Sequence, residues 1–211
     1  MSNLKDGITE KKYTQQFRPT DKTLYDESSE FIKPKNIGLL WFMDNIPKNI
    51  ESSTKILDIC SGPGKFGHCL KEKLGVNFKY ICLDIKNLKI ENENTIFIQH
   101  DIRDILPLNY NEVDIVLLFG WYHGDLWDID YQKFLNDINR VTRMNGLLYF
   151  DFPTVENKIK FTGGGGGTDE ERKNMNSFIK KAGFDIIKKV VLIKNGYGYN
   201  TYTCKKIKEL K

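Results

Sequence analysis

The chain has 211 residues, enough for one domain with a full core, and its 40% hydrophobic and 28% charged residues are an ordinary globular balance. No apolar stretch approaches the roughly 20 residues of a membrane-spanning helix, and the N-terminal MSNLKDGITEKKYTQQ lacks the apolar centre of a secretory signal, so a cytoplasmic protein with no membrane partner is expected. A net charge of +4 spread thinly over the chain permits nucleic acid as a partner without favouring it, and four cysteines with no CxxC pair predict reduced thiols, neither a disulfide framework nor a metal site.

Residues 1–28 are polar without sustained periodicity and read as an N-terminal arm; the domain proper runs from 29 to 211. Within Glu30–Ile46 the pattern turns apolar and helix-like after Pro34. A short apolar run, Lys55–Cys60, reads as a buried strand leading directly into Ser61-Gly62-Pro63-Gly64-Lys65-Phe66-Gly67 and a helix that stops near Gly75. Phe78–Asp84, Thr95–Gln99 and Val113–Phe119 read as the next three strands, followed by a helix over Tyr131–Met144 and a fifth strand over Leu147–Phe152. Apolar runs alternating with helical segments predict an α/β domain with a mostly parallel sheet, covered by helices on both faces. The rhythm changes at the end of the chain. After a helix over Glu170–Lys181, the segments Asp185–Lys194 and Tyr199–Ile207, separated by Asn195-Gly196, read as an antiparallel hairpin, giving seven strands in all. Five consecutive glycines, Gly163–Gly167, form a flexible tether after the fifth strand, either a natural mobile loop or an engineered replacement of a longer segment.

The chemistry concentrates at Asp58-Ile59-Cys60-Ser61-Gly62-Pro63-Gly64-Lys65-Phe66-Gly67. Glycines after a strand and before a helix bring backbone N–H groups close to a ligand, at the edge where open α/β sheets bind theirs. This stretch resembles the first motif of the class I S-adenosylmethionine (SAM)-dependent methyltransferase superfamily, with Cys60 standing where that superfamily has its first glycine. The resemblance extends over residues 55–207 and implies a Rossmann-like fold, SAM as cofactor and methyl transfer by in-line displacement. It further implies that Asp58, Cys60, Ser61, Gly62, Gly64 and Phe66 surround the amino-acid end of the cofactor. Asp84, with Ile85, would accept the ribose hydroxyls, and Asp101 with Ile102 would meet the adenine. Phe119 and Gly120 would line the methionine side. Trp121, Tyr122 and Asp125 would face the methyl acceptor, a small molecule being favoured, and residues 1–28 would fold over the cofactor as a lid.

Methyl transfer from a sulfonium needs alignment at about 3–3.5 Å more than it needs a metal or a covalent nucleophile. A general base helps when the acceptor arrives protonated, and His123 is the candidate. Three other readings stay open. The spelling Ser61-Gly62-Pro63-Gly64 is also similar to FtsJ-like RNA 2′-O-methyltransferases, but the fifth strand, Phe150-Asp151-Phe152, offers no lysine to match their catalytic set. GPGKFG satisfies the dinucleotide spelling of an NAD(P)-linked oxidoreductase. The irregular Cys60 suits a SAM-binding scaffold without catalysis.

Overall fold

A computed structural model of the chain describes residues 11–12, 37–62, 64–85, 94–119, 129–153, 169–194 and 197–210. In chain order the elements are β1 (Lys11–Lys12), α1 (Ile37–Asp44), β2 (Lys55–Ile59), α2 (Lys65–Leu74), β3 (Lys79–Asp84), β4 (Thr95–Gln99) and β5 (Val113–Leu118). There follow α3 (Tyr131–Val141), β6 (Thr142–Pro153), α4 (Asp169–Lys181), β7 (Phe184–Lys194) and β8 (Tyr197–Lys206). The strands form one sheet in the order β1-β7-β8-β6-β5-β2-β3-β4. The expected seven strands are present, with β8 antiparallel between β6 and β7. The two residues of β1 add an eighth, parallel to β7 at Lys11↔Leu192 and Lys12↔Ile193. That part of the N-terminal arm therefore lies at the β7 edge of the sheet. The rest of residues 1–28 lies outside the described residues, as do residues 29–36 and Gly163–Gly167.

Continuous apolar strands bury both faces, and side chains alternate between two cores. Every residue of β5 is buried. On one face, Leu57 and Ile59 of β2 join Phe134, Leu135 and Ile138 of α3 and Met175 and Ile179 of α4. On the other, Ile56 meets Trp41 and Phe42 of α1 and Phe66 and Leu70 of α2. The alternation has a direct consequence for chemistry: Asp58, between Leu57 and Ile59, is turned into the face covered by α1 and α2.

Caps set the helix ends. Asp130 accepts from the Lys133 N–H at 3.0 Å and starts α3. Gly75, at φ 63°, closes α2 by donating its N–H to the Lys71 carbonyl. The expected helix over Tyr131–Met144 stops three residues earlier, because the Thr142 hydroxyl donates back to the Ile138 carbonyl at 2.6 Å and the backbone turns extended there. The sixth strand consequently begins at Thr142 and passes through a left-handed Asn145 (φ 65°) before the Leu147–Phe152 run that the sequence marked.

Between β4 and β5 the chain carries no helix; there the Asp104 N–H donates to the Asp101 carbonyl in a tight turn. That segment is held by α3. Arg140 donates to the carbonyls of Leu108 (2.6 Å) and Leu106 (2.8 Å), while Asp137 accepts from the Leu106 N–H (2.6 Å). These bonds take the place of the missing helical ladder.

Candidate cofactor-binding site

The chain leaves β2 for β3 and β4 on one side and returns to β5 and β6 on the other, so the strand order reverses between β2 and β5. Crevices at such a reversal, outside the carboxyl ends of the strands, are where open sheets bind ligands. The turn Cys60–Gly64 lies there. Three of its residues are left-handed: Cys60 at φ 59°, Gly62 at φ 55° and Gly64 at φ 71°. Two are glycines and adopt this freely; for Cys60 the conformation costs about 1 kcal/mol. The sequence marked Cys60 as a small stand-in for glycine, and the backbone adds that the position demands a glycine-like φ.

The two glycines serve different ends. A Cβ added at Gly62 would meet nothing within 4 Å, so this is the open face of the turn. At Gly64 it would lie 2.6 Å from the Cys82 Sγ, so Gly64 permits the close approach of α2 to β3. The close packing at Gly64 was not foreseen from the sequence. The Gly62 N–H is also engaged: it donates to Asp84 Oδ2 at 2.9 Å. Asp84, ending β3, thereby ties the tip of the turn to the neighbouring strand. The Ser61 N–H donates to the Leu83 carbonyl at 3.2 Å and reinforces the tie.

Behind the turn, Asp58 is 4% exposed and accepts a 2.5 Å hydrogen bond from the Tyr80 hydroxyl. Burial pushes its carboxyl up to about 7; the Tyr80 hydrogen bond opposes that rise and the Asp84 charge adds to it. The Cys60 thiol is pushed up to about 12, first by burial and then by the charges of Asp84, Asp58 and Asp101. It is a neutral thiol, not a nucleophile. Three carboxylates thus direct a negative field at one turn.

Ile85 follows Asp84 and is 55% exposed at the carboxyl edge, whereas Ile102 is buried in the core under α3. Asp101 is engaged otherwise than expected. Arg103 donates to it from both its backbone N–H and its guanidinium, which holds the carboxyl below the usual range. Any adenine contact at this residue competes with that pair. Phe66 and Phe119 are buried side chains. Phe66 is 6.1 Å and Phe119 6.4 Å, centroid to centroid, from the ring of Phe42, so both belong to the core beneath α1. Gly120, Trp121, Tyr122, His123 and Asp125 lie outside the described residues. Among the described residues no group of His, Cys, Asp and Glu side chains is placed to hold a metal ion, and the cysteines are free thiols.

Three participants escaped the sequence reading. Tyr80 carries the hydrogen bond to Asp58, Arg103 occupies Asp101, and the buried Nε2 of His100 has no hydrogen-bond partner among the described residues. Only Tyr80 left a signal, since a tyrosine in a buried strand must find a partner for its hydroxyl.

With this geometry in place, comparison with known proteins is informative. Residues 56–146 match the family described as a methyltransferase domain. A curated relative, the demethylmenaquinone methyltransferase of Staphylococcus saprophyticus, is 29% identical over 108 residues. That match spans 47% of this chain and 45% of the relative, about half of each. The methyltransferase of Haloferax volcanii solved with the Trm112 methyltransferase activator superimposes with a TM-score of 0.63 at 14% identity, over 82% of this chain and 90% of that one. The Burkholderia thailandensis 1,6-didemethyltoxoflavin-N1-methyltransferase, solved with 1,6-didemethyltoxoflavin and S-adenosylhomocysteine, gives 0.61 at 13% identity, over 82% and 80%. The glycine turn at the reversal of strand order, the acidic end of β3 and the closing antiparallel hairpin all agree with these matches: residues 56–146 are similar to a methyltransferase domain, and the chain has the Rossmann-like fold of solved SAM-dependent methyltransferases.

Proposed function

We infer that the protein transfers a methyl group from SAM to a small-molecule acceptor by in-line displacement. The observation that carries this reading is the field at the turn, where Asp84, Asp58 and Asp101 all raise the Cys60 thiol. A strand edge with several carboxylates attracts a sulfonium and an ammonium group, and it repels the pyrophosphate of a dinucleotide. The space over Gly62 is open, which also supports a ligand at the turn.

Bound there, SAM supplies an electrophilic methyl group on a positively charged sulfur. The chain's part is to bind and orient. Asp84, already held by the Gly62 N–H at 2.9 Å, is oriented to accept from ribose hydroxyls. The exposed Ile85 offers apolar surface to the adenine, with the Asp101–Ile102 segment beside it. The carboxylate of Asp58 and the backbone from Cys60 to Gly62 face the amino-acid end. Gly120, Trp121, Tyr122 and Asp125 would enclose the acceptor, and His123 would take the proton of an acceptor that arrives protonated. Holding nucleophile, carbon and sulfur in line supplies most of the acceleration in such a site. Two of the relatives above carry small-molecule acceptors in their names, which supports that class over RNA. Free thiols accord with a reducing cytoplasmic setting.

Isothermal titration with SAM and S-adenosylhomocysteine tests the reading. Saturable binding of both is expected, with loss of at least tenfold in affinity for Asp84→Ala. Thermal stabilisation by NAD(P) but not by S-adenosylhomocysteine would instead favour an oxidoreductase. Tight SAM binding without turnover across a broad acceptor screen would favour a scaffold.

A further inference from the structure

We propose that Tyr80 is a positioning residue for cofactor binding: its hydroxyl, fixed between α2 and β2, orients the Asp58 carboxyl and favours its ionised, ligand-ready form against the burial that opposes it. The proposal rests on the SAM reading above and goes beyond it, because Tyr80 touches no ligand and acts only through Asp58.

The geometry is that of a clamp. Tyr80 is 0% exposed, and its ring is locked from one side by α2, where a Cβ on Gly67 would lie 2.4 Å from the Tyr80 Cδ1. Phe78 adds a tilted ring at 6.2 Å. With the ring immobile the hydroxyl has one destination, Asp58 Oδ2 at 2.5 Å. The two residues sit on adjacent parallel strands, offset by two residues, with Ile56↔Tyr80 and Asp58↔Cys82 in register. A phenol donating to a carboxylate favours the charged acceptor, because a charge-assisted bond is about twice as strong as a neutral one.

The surroundings make that donation necessary. From β3, Cys82 and Asp84 act on or feel Asp58 beside Tyr80, and from the turn after β2 Cys60 does so. From α2, Cys69 acts on Tyr80, and Lys71 reaches only as far as Cys82. On β5 the residue in register with Asp58 is the apolar Leu117. Burial and Asp84 both oppose ionisation, and Tyr80 is the group that favours it. An ammonium group arriving at the turn binds the ionised carboxylate and not the acid. Affinity is therefore set by the fraction of Asp58 that is ionised, which rises with pH through about 7.

The test pairs a titration of ligand-free protein with binding. The Asp58 side-chain carbon is followed by carbon NMR from pH 5 to 9 in wild type and Tyr80→Phe, with Asp58→Asn to assign the signal. S-adenosylhomocysteine affinity is measured by calorimetry over the same range. Wild type should titrate near 7, with affinity rising about tenfold per unit below the midpoint; Tyr80→Phe, which keeps the ring, should move both midpoints up by about one unit. In Asp58→Asn the rise of affinity with pH should vanish. An Asp58 midpoint unchanged in Tyr80→Phe overturns the proposal and leaves the SAM reading intact. A midpoint that moves while wild type binds no S-adenosylhomocysteine at any pH overturns the SAM reading, and the proposal with it.

Discussion

Asp58→Asn should stabilise the ligand-free protein at neutral pH while weakening its hold on the cofactor. In the unfolded chain Asp58 ionises at an ordinary 3.8, and in the fold only at about 7. The folded state therefore prefers the acid. Its contribution to stability is fully present below about 4, declines as pH rises through the interval, and is lost above about 7. Roughly three pKa units at 1.36 kcal/mol each set the loss at about 4 kcal/mol. Asparagine is neutral at every pH, and its amide oxygen can still accept from the Tyr80 hydroxyl. Its new N–H groups need partners in a buried place, at about 1 kcal/mol. The variant should thus be within about 1 kcal/mol of wild type at pH 4.5 and more stable by about 3 kcal/mol at pH 8. Urea unfolding at four pH values between these limits gives the difference directly. A difference independent of pH, or a variant less stable at pH 8, would refute the assignment of a neutral-range carboxyl behind the glycine turn.

Three further outcomes are expected. Cys60→Gly should exceed Cys60→Ala in stability by about 1 kcal/mol by chemical denaturation, since both remove the thiol and only glycine relieves the left-handed φ of 59°. Gly64→Ala should cost about 2–3 kcal/mol and lower the thermal midpoint, because the new methyl group combines a φ of 71° with a 2.6 Å approach to Cys82 Sγ. Lys206 is 1% exposed and its ammonium group donates to Asn111 Oδ1, the Asn139 carbonyl and the Thr142 carbonyl at 2.8–2.9 Å. Lys206→Met should therefore cost about 3 kcal/mol in urea unfolding by stripping those buried acceptors of their donor.

Much of the architecture was legible because strands buried on both faces write themselves as uninterrupted apolar runs. Thr95–Gln99 was read to the residue, and the reading of Val113–Phe119 overran its strand by one. The ends that moved were those decided by side-chain hydrogen bonds, as where Thr142 turned back to Ile138 and shortened α3. That a glycine turn at Cys60–Gly64 would follow a strand, with an acidic end at Asp84 on the next one, was legible from order and spacing along the chain. Phe66 and Phe119 were marked as ligand contacts because an aromatic residue beside a motif spells the same whether it lines a crevice or fills a core.

By itself, then, the order of residues determined the seven principal strands, that they lie mostly parallel with a final hairpin, and where along the chain a glycine turn meets an acidic strand end. These are local properties, set by periodicity and backbone freedom. Only the tertiary structure decided that Gly64 serves packing while Gly62 faces open space, that Arg103 occupies Asp101, and that Tyr80 reaches Asp58 from the next strand. Each of those depends on which atoms two or more separate elements bring within a few ångströms of one another, and on the burial that their approach creates. A carboxyl that titrates near neutrality is a property of such an enclosure.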